Sequence, residues 1–366
     1  MTTMLAVRAD RGSADLRLAK IPVPEPGPGD VLVKVAAAGL APGMMTLLAL
    51  GAFKHLPTTL GHEAAGTVAA LGSEVTGLAV GDRVRVHPNL TCRNCVYCRT
   101  DREMMCAQQA MIGHAAFSPV PMPLYDAYHD GGLAEYVRVP AWLIDPLPDA
   151  VSFDVGAKVH DLANAVRALK CAEVPLGATV VITAATGTMG TASVKLAGHF
   201  GAGRLVLVGR SAERLAAVRP LAGGIPAEAV ALEDLPDGWE TAGGLTGALH
   251  DLVPGGPAAV LDYMPVGPVS AQAMAALATG GTLVHMGANR APLPFTLADL
   301  MVACKRLIGT RSCTRTDALE VLDLLGRGVL SADELITHRF PLAEAEKAVA
   351  AMQSREEPIW MAVVNP

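Results

Sequence analysis

Four cysteines, Cys92, Cys95, Cys98 and Cys106, fall within fifteen residues in the pattern Cys-x2-Cys-x2-Cys-x7-Cys. Zn²⁺ prefers four soft ligands in a tetrahedron, and short Cys-x2-Cys steps let a single loop wrap around it. Cysteine occurs elsewhere only at Cys171, Cys304 and Cys313, and the segment Thr91-Cys92-Arg93-Asn94-Cys95 is polar. Four unrelated buried thiols therefore do not account for the spacing. Four sulfurs fill the coordination shell and leave no position for a substrate, so the expected site is one structural Zn²⁺ per chain. The scattered cysteines read as ordinary thiols of a reducing compartment.

A second constellation is Ala184-Ala185-Thr186-Gly187-Thr188-Met189-Gly190, lying between the apolar run Thr179-Val180-Val181-Ile182-Thr183 and a helical stretch over 189–200. This is an Ala-x-Gly-x-x-Gly variant of the dinucleotide fingerprint. Gly187 lets the backbone approach a pyrophosphate, Gly190 permits close helix packing, and the helix N-terminus faces the anion. Glycine turns join many strands to helices, but the strand–turn–helix context makes this one a nucleotide site. The next strand ends at Gly209-Arg210-Ser211, where an NAD enzyme carries an acid for the ribose 2′-hydroxyl. Glycine followed by Arg210, Ser211 and Arg214 suits a 2′-phosphate instead, which favours NADP(H) over NAD(H).

The elements that must position these groups alternate. Strand 205–208 precedes helix 212–218, strand 259–261 precedes helix 269–278, and strand 282–284 follows. Apolar strands alternating with helices predict an α/β doubly wound parallel sheet. The first 150 residues are turn-rich and strand-like, and the last 60 return to a mixed α+β pattern ending in Met361-Ala362-Val363-Val364. The sheet domain thus reads as inserted into another: 1–155, with a zinc lobe at 88–108, then 156–304 for the nucleotide, then 305–366. Residues 35–53 are uncharged, but Gly39, Pro42, Gly43 and Gly51 interrupt them, so a buried strand leading into a turn is expected rather than a bilayer span. With 29 Lys+Arg against 35 Asp+Glu, the net charge of −6 argues against nucleic acid and anionic membranes as partners. The 51% hydrophobic content fills substantial cores, although aromatics are only 4%. The first residues lack a signal peptide, and a cytoplasmic location is expected.

Together these features resemble the zinc-type alcohol dehydrogenase branch of the medium-chain dehydrogenases/reductases. The resemblance extends over Pro24-Glu25-Pro26-Gly27-Pro28-Gly29-Asp30-Val31, Gly61-His62-Glu63-Ala64-Ala65-Gly66, Gly81-Asp82-Arg83-Val84, Asp130-Gly131-Gly132-Leu133-Ala134-Glu135-Tyr136-Val137 and Phe340-Pro341-Leu342-Ala343-Glu344-Ala345. It implies a GroES-like β-rich catalytic domain built from both chain ends, a Rossmann domain between them, and a homodimer or homotetramer acting on a small molecule. The departures bear on chemistry. Where members with a catalytic zinc carry Gly-[Val/Ile]-Cys-[His/Gly]-[Ser/Thr]-Asp, this chain reads Gly39-Leu40-Ala41-Pro42-Gly43-Met44. The resemblance places His62, with Glu63 beside it, at the second ligand position and His160-Asp161 near the third. Ala41 ligates nothing, and Gly43 and Met44 remove the accompanying hydroxyl and carboxylate. The turn is similar to the Gly-Val-Asn-Pro turn of the zinc-free quinone oxidoreductases, which lack the cysteine lobe.

A catalytic zinc is therefore not expected. Without one, nothing strongly polarises a simple carbonyl, and hydride must go to a substrate activated by its own conjugation or charge. The leading expectation is an NADPH-dependent reductase acting on an activated C=C, C=N or C=O, with His62, His160 and Asp161 as candidate proton donors and Glu63 beside them. A zinc-dependent alcohol or aldehyde dehydrogenase using an altered His/Glu/Asp set is the alternative. A non-catalytic NADPH-binding structural or sensing subunit is the third reading. The loop over 113–130, with Phe117, Tyr125 and Tyr128, reads equally as a substrate wall or as a packed surface loop.

Overall fold

A computed structural model describes residues 2–12 and 16–366, which form two compact units. One comprises Met1–His160 with Cys313–Pro366, the other Asp161–Ser312.

The first unit is organised around the strand Asp30–Leu40, almost wholly buried and rich in valine and alanine. It pairs antiparallel with Ala64–Leu71 along one edge. Its opposite edge is shared: Asp30 to Lys34 pair with Tyr136–Pro140, and Ala38 to Leu40 pair with Val364 to Ala362 of the last strand. The mixed sheet runs Ile144–Pro146, Arg83–Val86, Ala64–Leu71, Asp30–Leu40, Met361–Asn365, Ile336–Pro341. Both chain ends thus build one sheet, and Val31, Val33, Val35, Val68, Val84, Val139 and Val364 form its core. Two register shifts along Asp30–Leu40 bend the strand. It then turns at Ala41 into the helix Pro42–Ala49, with Met44 and Leu48 buried. Met44, at the aspartate position of the family turn, is a core residue.

The second unit holds a six-stranded, all-parallel sheet in the order Ala227–Ala231, Ala202–Gly209, Ala178–Ile182, Ala259–Asp262, Thr282–His285, Arg306–Gly309. Strand order reverses between Ala178–Ile182 and Ala259–Asp262, which is where a doubly wound sheet opens a crevice for a nucleotide. The α/β doubly wound expectation is met. The outer strands Ala227–Ala231 and Arg306–Gly309 carried no clear signal, being short, partly exposed and poor in β-branched residues. The helix Phe153–Ala172 runs through the division after residue 160. Among the described residues no helix is long and apolar enough to cross a membrane.

Gly190 shows why the fingerprint needs its last glycine. A Cβ there would lie 2.4 Å from the Ala184 carbonyl oxygen and 2.6 Å from the Ala185 Cα. Both are backbone atoms that cannot swing away. Gly190→Ala should cost about 1–3 kcal/mol of stability through overpacking, read as a Tm several degrees lower, with weaker nucleotide binding in the same variant.

Candidate functional site

The cysteine lobe is a loop that folds back twice. Arg93 and Asp101 adopt left-handed backbone, with φ of 59° and 54°, and a single helical turn at Val96–Arg99 separates them. The sulfurs of Cys92, Cys95, Cys98 and Cys106 converge, their ligand atoms all within 4.8 Å of one another. The Cys95 N–H donates to the Cys92 Sγ at 3.3 Å and the Cys92 N–H to the Cys106 Sγ at 3.5 Å. Burial opposes ionisation of Cys92, but backbone N–H donors outweigh it and bring this thiol down to about 7. Four convergent sulfurs with N–H donors turned toward them are the donor set of a closed zinc site. The lobe is braced against the returning chain. Glu103 accepts from the Arg315 N–H at 2.5 Å, and Asn89, itself held by Gln109, donates to the Cys313 carbonyl at 2.9 Å.

The glycine turn lies between the strand Ala178–Ile182 and the helix Thr188–Leu196. Gly187 is the N-cap of helix Thr188–Leu196, in extended backbone. Ala184 takes a φ of 47° to make the turn, and Thr191 Oγ1 donates to the Gly187 carbonyl at 3.0 Å. Ala185, Thr186, Met189 and Gly190 complete this segment. Gly209 ends the strand Ala202–Gly209, exposed Arg210 follows it, and Ser211 caps the helix Ala212–Val218 that carries Arg214. Here the sequence reading needs correction, because a carboxylate does stand at this position. Glu233, from the turn after the neighbouring strand, accepts from the Ala212 N–H at 2.8 Å. It lies 23 residues beyond Arg210 in the chain, outside the window in which the fingerprint acid is sought.

The third group is a buried histidine cluster in the first unit, and glycine makes it possible. Gly61, at φ +94°, donates its N–H to the Gly113 carbonyl at 3.0 Å. A Cβ on Gly131 would lie 2.1 Å from the Gly61 carbonyl oxygen. This backbone crossing sets the rings of His62 and His114 edge to face, with centroids 4.6 Å apart. His160, from helix Phe153–Ala172, meets His62 edge-on at 5.1 Å. The three side chains belong to residues only 3–4% exposed. Burial, reinforced by the Lys158 ammonium, drives His62 down to about 3, and burial likewise holds His114, His160 and the nearby His87 well below the ordinary imidazole value. All four are neutral at pH 7. His160 Nδ1 lies 3.4 Å from the buried Cys313 Sγ.

Glu63 is not available as a free ligand. Its Oε2 accepts from Lys158 Nζ at 2.5 Å, and the same ammonium donates to the Leu40 carbonyl at 3.2 Å. Neither side chain has exposed surface. The other carboxylate oxygen, Oε1, lies 3.6 Å from His62 Nε2 and has no hydrogen-bond partner. Asp161, the residue after His160, is buried and falls in the second unit. Among the described residues, the ligand atoms of His62, Glu63 and His160 do not converge as those of the four cysteines do. Ala41 offers only a methyl group, so this donor set does not fit a three-ligand catalytic zinc. In the loop over 113–130, Tyr125 is buried and its hydroxyl donates to the His114 carbonyl at 2.5 Å, while the Tyr128 hydroxyl donates to Asp30 at 2.6 Å. Those two tyrosines fasten the loop, and Phe117 is exposed, with its ring 6.3 Å from that of His114.

Sequence reasoning missed Lys158, His114 and Cys313. Lys158 carried a readable signal, since it sits on the stripe of Val155, Val159 and Leu162, where a solvated lysine does not belong. His114 and Cys313 carried none.

Comparison with known proteins agrees with this architecture. The family model for the alcohol dehydrogenase GroES-like domain matches residues 27–149, and that for zinc-binding dehydrogenases matches 188–327. The protein named "Probable D-xylulose reductase A" of Aspergillus clavatus is 30% identical over 338 residues, covering 89% of this chain and 87% of that one. Sorbitol dehydrogenase of Gallus gallus is 29% identical, covering 96% and 92%. A zinc-binding dehydrogenase from Sinorhizobium meliloti, solved bound to NADP, superposes with a TM-score of 0.86 at 27% identity over 100% of both chains. The fold and site define a zinc-type, alcohol dehydrogenase-like oxidoreductase. The chain belongs to that branch of the medium-chain dehydrogenase/reductase superfamily and is an enzyme.

The neutral histidines tie stability to pH. Their folded values lie below the unfolded value of about 6.5, so the unfolded chain binds more protons at acid pH. The stability they contribute is complete above that value and is lost as pH falls toward the folded ones, by about 1.4 kcal/mol per pH unit for each histidine. Urea unfolding between pH 7 and 5 should show this slope, and His62→Gln should flatten it.

Proposed function

We propose that the protein is an NADPH-dependent reductase that transfers hydride to an activated C=C, C=N or C=O of a small molecule, with one structural Zn²⁺ and no catalytic zinc. The observation carrying this reading is the engagement of Glu63 by Lys158 beside an Ala41 that cannot ligate. With His62, Glu63 and His160 not converging, no Lewis acid is built into the site. Bound NADPH would supply the hydride. Ala185, Thr186, Gly187, Thr188, Met189 and Gly190 would hold the pyrophosphate at the helix N-terminus. Gly209, Arg210, Ser211 and Arg214 would receive the 2′-phosphate, with Glu233 as the anion to be displaced or neutralised. A relative solved with NADP bound supports this choice.

His62 and His160 are candidate substrate anchors through neutral ring N–H groups, since burial keeps the rings unprotonated and leaves them no acidic proton to give at pH 7. Asp161, the next residue in the chain after His160, is a further candidate polar group. Cys92, Cys95, Cys98 and Cys106 would hold the structural metal, and the enzyme would work in the cytoplasm as a homodimer or homotetramer. The match to the zinc-binding dehydrogenase family model, with relatives named sorbitol dehydrogenase and D-xylulose reductase, supports a second reading, a zinc-dependent dehydrogenase with an altered ligand set. Metal analysis separates the two, one zinc per chain against two. NADPH consumption with enals, iminium ions, ketoses and aldehydes then identifies the substrate class.

Two substitutions test the assignments. Arg210→Ala with Arg214→Ala should weaken NADPH at least tenfold (about 1.4 kcal/mol) while sparing NADH, and Glu233→Gln should tighten NADPH. Equal wild-type affinity for both nucleotides would refute the NADPH assignment. Cys95→Ser should lower the Tm steeply, because thiolate–zinc binding is coupled to folding. A stable, fully assembled variant would remove the structural assignment.

A further inference from the structure

Burial keeps His160 neutral, so its ring carries one N–H and one bare nitrogen. The neighbour of each nitrogen decides which is which. Nδ1 lies 3.4 Å from the Cys313 Sγ, and Cys313 has no exposed surface. A buried thiol is a weak donor, and a ring nitrogen with a lone pair is the acceptor that suits it. The S–H then occupies Nδ1, and the ring hydrogen falls on Nε2. Among the described residues Nε2 makes no hydrogen bond, although His160 is only 3% exposed. Polar atoms at such depth are ordinarily paired, so a donor without an acceptor here is one kept for a ligand. Both partners are held in place. The Cys313 carbonyl accepts from Asn89 Nδ2 at 2.9 Å, and Asn89 Oδ1 accepts from Gln109 at 3.1 Å. The His62 ring stands at 88° to that of His160, with centroids 5.1 Å apart.

We propose that Cys313 is a positioning residue that fixes His160 with its hydrogen on Nε2, and that the site thereby selects substrates carrying a carbonyl oxygen. A ring N–H needs a lone pair to point at. The oxygen of an enal, an enone, an aldehyde or a ketose offers one, whereas the nitrogen of an iminium ion offers none. The inference rests on the reading of His160 as a substrate anchor. It narrows the activated C=C, C=N or C=O of that reading to carbonyl compounds, reduced at the carbonyl or at a C=C conjugated to it.

The test pairs nitrogen-15 NMR of the histidine rings in the holoenzyme with NADPH-dependent turnover of an enal, a ketose and an iminium ion. Wild type should show the His160 hydrogen on Nε2 and should turn over carbonyl compounds in preference to the iminium ion. Cys313→Ala should leave the His160 hydrogen shared between both nitrogens and lower kcat/KM for the carbonyl compounds by about threefold or more. Cys313→Ser, which keeps a donor, should restore both. His160→Phe removes the ring N–H and should cost about tenfold. A wild-type hydrogen on Nδ1, preference for the iminium ion, or a Cys313→Ala protein unchanged in tautomer and kcat/KM overturns the inference and leaves His160 as an anchor. Unchanged kinetics in His160→Phe overturn the anchor reading itself. Should Cys313→Ala fail to fold, the wild-type tautomer and substrate preference decide.

Discussion

A lysine and a glutamate without exposed surface can be charged only in each other's company, and each demands partners for its remaining donors and acceptors. The Glu63–Lys158 pair therefore constrains everything around it. The residue facing it must be glycine, and Gly39 fills that place, one residue before the end of the strand Asp30–Leu40. The Leu40 carbonyl must turn inward to accept from the ammonium, and the helix Phe153–Ala172 must lie where its sixth residue reaches that carbonyl. Gly39 N–H then closes the frame by donating to the Glu63 carbonyl at 2.9 Å. The turn at Ala41 and the neutral histidines follow from this arrangement.

The broad architecture was open to reading because it rests on periodicity and on residues with narrow chemical uses. Valine-rich strands alternating with helices, a glycine turn and clustered cysteines each admit few explanations. What stayed hidden depends on tertiary placement. Glu233 reaches the Ala212 N–H from a neighbouring strand end, and no motif spacing predicts such a contact. His114 joins His62 only because Gly61, Gly113 and Gly131 let three backbones crowd together. Cys313 lies 153 residues from the His160 it approaches. Lys158 was legible as an anomaly on an apolar stripe, but its partner was not, since Glu63 lies 95 residues earlier.

The cysteine lobe and the histidine cluster share a mechanical link. Arg315 reaches Asp145 Oδ1 at 2.6 Å, and Asp145 also faces Arg85 at 3.6 Å. The same segment is held by Glu103 and Asn89 from the lobe and its base. Cys313 sits within this bracket, so the thiol beside His160 is positioned from the lobe as much as from its own neighbours. A structural metal in such a lobe orders a loop and also sets one wall of the buried cluster.

The central sheet of the first unit also imposes an order of events at the ribosome. Asn365 donates through its side chain to the Ala36 carbonyl, 329 residues away in the chain. Synthesis proceeds at roughly 5–20 residues per second, so the late half of the strand Asp30–Leu40 waits roughly a quarter of a minute to a minute for its neighbour. Residues 161–312, by contrast, contain all six strands of their sheet and can close while the rest is still being made. An unpaired, apolar strand edge is a template for association with other chains. The nascent chain is therefore most exposed to aggregation after residues 161–312 have closed their sheet, and the strand Met361–Asn365 ends that exposure.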